Sequence, residues 1–154
     1  MTMKSTTTNS QRGAALLEAL ISVLIFSMGI IALMGLQAAS IKNSIDAKYR
    51  ADAAYLTNQI IGQMWVDRGH IDSYAHLASG GGCAPSGSAS TYAAVTDWLA
   101  QVNALLPGAA STKQQIVITT PYTNTKQATV TVCWQGPKET SPHNFVATAQ
   151  INTD

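Results

Sequence analysis

The sequence predicts an α+β protein: one very long N-terminal helix, a shorter second helix and a small antiparallel sheet. Three observations predict it. An apolar stretch without charge opens the chain and runs unbroken into an amphipathic helical pattern. A glycine-rich segment ends that pattern, and the C-terminal part alternates apolar and polar residues with the period of strands. With 154 residues a single core is expected. Charged residues are 11% of the chain and the formal net charge is +1, so no global field is present to hold nucleic acid or strongly acidic substrates.

Residues 19–41 contain no charge and are rich in Leu, Ile, Val, Met and Ala. A helix of about 20 such residues crosses a bilayer. A buried core helix is the alternative, but one that is apolar on every face needs a large protein around it, which the rest of this chain cannot supply. Beyond the stretch, Ile41, Ile45, Tyr49, Leu56, Ile60 and Met64 recur mostly four apart, with Lys42, Asp46, Lys48, Arg50 and Asp52 between them. The helix therefore continues, one-sided, to about Val66, and from Ala14 it would run roughly 80 Å.

After Asp67, the glycines and prolines at Gly69, Gly80, Gly81, Gly82, Pro85 and Gly87 predict a loop. A second helix is expected from about Thr91 to Leu106, capped by Ser90 or Thr91 and ended by Pro107-Gly108. Its apolar face would hold Val95, Trp98, Leu99, Val102, Leu105 and Leu106. Strands are expected at residues 115–120, 126–134 and 145–151, with a turn near residues 121–125 and a polar loop before the last strand. Trp65, Trp98 and Trp134 are read as packing residues, and His143, in a Ser-Pro-His-Asn loop, as solvated.

Lys4 and Arg12 precede the apolar stretch, and the first acidic residue is Glu18. That bias places the N-terminus in the cytoplasm and the C-terminal domain outside. Cys83 and Cys133 then lie in an oxidising compartment, where a disulfide would close a loop of about 50 residues and stabilise it by about 4 kcal/mol. A metal site built from the cysteines with His70 and His76 is the rival, but the spacing matches no zinc signature. No metal and no cofactor are expected. The sequence shows no paired carboxylates, no Ser/His/Asp grouping and no phosphate-cradling loop, since Gly80-Gly81-Gly82 lacks the following Lys-Ser or Lys-Thr; an enzyme is not expected.

The informative motif is Arg12-Gly13-Ala14-Ala15-Leu16-Leu17-Glu18. Gly13 lets a protease approach an extended backbone closely. Glu18 favours the dipole of a helix first turn, yet a carboxylate inside an apolar layer costs about 2.5–3.5 kcal/mol near its centre and calls for a cationic partner. Gly29, Gly35, Ser22, Ser27 and Ala32 are small enough for close helix approach, although such residues are also ordinary membrane-helix composition.

The motif resembles the prepilin processing site of type IV pilins and type II secretion pseudopilins: glycine, cleavage point, four mostly apolar residues, glutamate, long apolar helix. The wider stretch RGAALLEALISVLIFSMGIIALMGLQAAS is most similar to the PilV family of type IV pilus minor pilins; Ala14 stands where many members have phenylalanine. The likeness covers roughly the first 45 residues, and the remainder matches only in general layout. It implies a leader at 1–13, a transmembrane and filament-core helix at 14–36 and a periplasmic or extracellular globular domain at 37–154. It further implies that an inner-membrane prepilin peptidase cleaves between Gly13 and Ala14 and that the new amine of Ala14 is methylated. Glu18 would dock on a neighbouring subunit's amine.

The expected function is a minor pilin that starts or caps pilus assembly, with a possible part in adhesion or twitching motility. Its partners would be other minor pilins, the major pilin and a tip adhesin, and it would pass from a single-pass inner-membrane state to the pilus at the cell surface. A type II secretion minor pseudopilin is the first alternative. A single-span periplasmic binding protein is the second, and it would need neither Gly13 nor Glu18 where they stand.

Overall fold

The computed structural model describes residues 10–153. The first helix, α1, spans Ser10–Val66, 57 residues in a single run. Its C-terminal limit is the one the apolar period predicts. Its start lies four residues before Ala14, because Gly13 alone does not break a helix whose neighbours all favour one. The expected leader falls outside the described residues for positions 1–9.

The chain divides into two compact units, Met1–Ser44 and Ile45–Asp154. In the first, every side chain described is exposed from Gly13 onward, and α1 contains an 18-residue window of mean hydropathy 2.5 with none of it buried. Among the described residues, one helix is thus long and apolar enough to cross a membrane.

The second unit is α+β. Its core joins Ala53, Leu56, Ile60 and Met64 of α1 to a second helix, α2 (Ala93–Leu105), and to a three-stranded antiparallel sheet. The strands are β3 (Gln115–Tyr122), β4 (Thr125–Trp134) and β5 (His143–Asn152), in that spatial order. From the sheet, Ile116, Ala128, Val130, Val132 and Ile151 enter the core. This is the long helix, short helix and small sheet that the sequence predicts, a pilin-like layout.

The segment expected as a loop is more ordered than that. It holds a kinked 3-10 segment, Arg68–Tyr74, and a two-stranded hairpin of β1 (Ser79–Gly81) and β2 (Ala84–Ser86). Two glycines permit the hairpin: Gly80 and Gly82 take φ of +75° and +63°, which side chains rarely adopt. Ile71 and Tyr74 of the 3-10 segment reach the core, so this stretch buries apolar surface despite its composition.

Other expectations change in detail. The Ser90 hydroxyl accepts from Tyr92 N at 3.2 Å, just ahead of α2, instead of capping its first turn. Leu105 is half exposed, whereas Leu106 is buried because the backbone leaves the helix there and the helical period no longer applies. The β3–β4 turn is tighter than expected, at Thr123-Asn124, with Asn124 at φ +60°. Pro121 sits inside β3 at a break in register between Thr119 and Tyr122, where a missing N–H is tolerated. Trp98 and Trp134 are buried, but Trp65 is 47% exposed, since the buried stripe Leu56, Ile60, Met64 leaves it to one side.

Candidate functional site

Gly13, Ala14 and Glu18 lie together on α1, all exposed. An added Cβ at Gly13 would meet nothing within 4 Å, so the fold does not require glycine at this position. The Gly13–Ala14 bond is inside the helix and not in an extended segment, which differs from the open substrate the sequence alone suggests.

Helical geometry gives Glu18 informative neighbours. At 100° per residue, Ser22, Gly29 and Ala32 fall within about 40° of Glu18 around the axis. The hydroxyl of Ser22 is turned back onto its own backbone, donating to Glu18 O at 2.7 Å, and Ser27 does the same to Val23 O. Neither hydroxyl then needs an outside partner in an apolar layer. That face is mixed, since Ile25 and Leu36 also fall within about 20° of Glu18, so small and large side chains alternate along it.

Cys83 and Cys133 are bonded, with an S–S distance of 2.03 Å and Cα atoms 5.7 Å apart. The bond fastens the β1–β2 hairpin to the C-terminal part of β4. His76, named with the cysteines as a possible ligand, is buried and engaged at both ring nitrogens. Nδ1 accepts from Ser90 N at 3.1 Å, which leaves Nε2 to donate to Ser111 O at 3.0 Å. His70 pairs with Asp67 at 2.7 Å. His143 is not a freely solvated side chain: it stacks on Trp134 with ring centroids 5.8 Å apart, and its Nε2 lies 3.0 Å from Glu139 Oε2.

One cluster escaped the sequence reading. Asp67, directly after α1, accepts hydrogen bonds from the hydroxyls of Tyr74 and Tyr92 at Oδ2 and from His70 at Oδ1. The Tyr74 and Tyr92 rings meet edge to face at 5.1 Å. The Tyr92 hydroxyl first, and His70 next, hold the Asp67 carboxyl below the usual carboxylate range. In turn Asp67 pushes the Tyr92 hydroxyl up, and burial followed by Asp67 pushes up that of Tyr74. The carboxylate clasps the end of α1, the 3-10 segment and the start of α2. A shallow cleft of about 440 Å³ lies beside it, lined by Gln59, Gln63, Asp67, Tyr74 and Ala94 among others, and the amide oxygens of Gln59 and Gln63 have no hydrogen-bond partner among the described residues.

Comparison with protein-family models, characterised proteins and solved structures finds no match to this chain.

Proposed function

We propose that the chain is a type IV pilin-like subunit of the minor-pilin, PilV-like kind, and that it acts by assembly and not by catalysis. One observation carries this reading: Gly13 and Glu18 stand five positions apart at the start of a 57-residue helix that is apolar and exposed through its first unit. In this reading a prepilin peptidase cuts between Gly13 and Ala14, and the α-amine of Ala14 becomes methylated. The helix holds the subunit in the inner membrane, N-terminus inward, until it enters the filament. There Glu18 pairs with the amine of a neighbouring pilin. That pairing offsets the cost of a carboxylate in an apolar layer and sets the axial register.

Intact-mass measurement of membrane-extracted protein tests the reading. The expected species starts at Ala14 and carries one extra methyl. Retention of residues 1–13 in cells with an active peptidase overturns it. For the role within the class, a deletion strain is expected to lose surface pili while major pilin persists in the membrane. Normal pili with a selective loss of protein secretion would instead assign the chain to a type II secretion pseudopilus.

A further inference from the structure

Natural sheets guard their edges with charge, proline, bulges or covering segments, because an open edge recruits another strand. In this protein β3 is guarded: it contains Pro121 and a register break, and His76 bridges its Ile116 through two backbone hydrogen bonds. The opposite edge is different. β5 pairs with β4 without interruption from Thr125↔Asn152 to Trp134↔His143, and no strand lies on its other side among the described residues. It contains no Lys, Arg, Asp, Glu or Pro.

Its sequence also names an occupant. About Thr148 two of the four flanking pairs are identical, Ala147 with Ala149 and Asn144 with Asn152, and a third, Phe145 with Ile151, is apolar on both sides. Val146 and Gln150 differ in kind. Phe145, Ala147, Ala149 and Ile151 face the core, while Asn144, Val146, Thr148 and Gln150 are exposed. Antiparallel pairing of two such strands centred on Thr148 sets each core-facing residue opposite a core-facing residue. A shift by one position would mix the faces. It would also extend a hydroxyl ladder already present, in which Thr148 Oγ1 lies 3.2 Å from Thr129 Oγ1 on β4.

We propose that the outer edge of β5 is an isologous interface, pairing antiparallel with β5 of a second copy of this chain across a two-fold axis at Thr148. The contact is one strand pair, so association is weak and concentration-dependent. It rests on the sheet and not on the processing motif, so a failure of the pilin reading leaves it standing.

Directly opposed residues of an antiparallel pair have Cα atoms about 4.5–5.5 Å apart, within the range that a disulfide spans. In full-length protein in detergent under mild oxidation, Thr148→Cys is expected to cross-link to itself. Val146→Cys and Gln150→Cys should remain monomeric alone and cross-link when mixed. Thr148→Lys, at an exposed position, is expected to weaken self-association about fivefold in sedimentation by setting like charges opposite each other. A Thr148→Cys protein that stays monomeric, equal cross-linking by all three single variants, or cross-linking to a different protein would each overturn the proposal.

Discussion

The indole Nε1 of Trp98 donates to the main-chain oxygen of Leu56 at 2.9 Å, tying α2 to the buried part of α1 inside the core. Trp98→Phe keeps an aromatic ring but loses that bond, and should cost about 1–2 kcal/mol. Trp98→Ala opens a cavity as well and should cost about 3–5 kcal/mol. Denaturant unfolding of detergent-solubilised protein, followed by circular dichroism, measures both. A Trp98→Phe protein as stable as the wild type would show the indole bond to be without weight.

The Cys83–Cys133 bond closes 50 residues of chain. Double replacement by alanine is expected to lower stability by about 4 kcal/mol, most of it through a freer unfolded chain. Limited proteolysis should then cut first in the glycine-rich hairpin, residues 79–86, whose side chains are almost all exposed. Resistance there equal to the wild type would mean that the hairpin holds its place without the bond.

Asp67 and its two tyrosines predict a stability profile with two falling limbs. The Asp67 carboxyl is depressed from 3.8 in the fold, so its contribution is present above that value and is lost as pH falls below it. Tyr92 and Tyr74 are raised from 10.0, so theirs is full below that value and is lost as pH rises beyond it. Asp67→Asn should flatten the acid limb, and Tyr92→Phe should soften the alkaline one. Thermal melts across the range provide the check, and an acid limb unchanged in Asp67→Asn would refute the assignment.

Glu18→Ala should leave membrane insertion and processing intact, since the helix only becomes more apolar. Under the pilin reading proposed above, incorporation into sheared filaments should drop sharply, because Glu18 would be the partner of an incoming amine. Equal amounts of variant and wild type in membrane and filament fractions would make the carboxylate a bystander.

Much of this was legible in the sequence because it is local. The end of α1 follows from Leu56, Ile60 and Met64, and the hairpin of β3 and β4 follows from the alternation in residues 126–134 and the short polar turn before them. Trp65 was misread because aromatic character says nothing about angular position, and it falls off the stripe that Met64 completes. Asp67 could not be read at all: Tyr74 and Tyr92 are 7 and 25 positions away, and only the folding of two helices onto one core brings them together. His143 is the same case, since it opens β5 and the pairing with β4 sets it directly opposite Trp134. The N-terminal motif was legible as a pattern of types and spacing, and the helix running through Gly13 was not.

The covalent ring from Cys83 to Cys133 encloses α2, β3 and most of β4 but leaves β5 outside. If the domain is pulled between α1 and its C-terminus, tension reaches the bond and crosses it directly, bypassing every residue within the ring. Only the stretch before Cys83 and the stretch after Cys133 can pay out length. The latter holds Trp134, the 135–142 loop and β5, which among the described residues pairs with β4 alone, and β5 would peel from the sheet while the ring kept its contour. A domain under such tension would thus yield at its edge by a fixed and short extension, with α2 and the β3–β4 hairpin still in place to receive the strand again when the force falls.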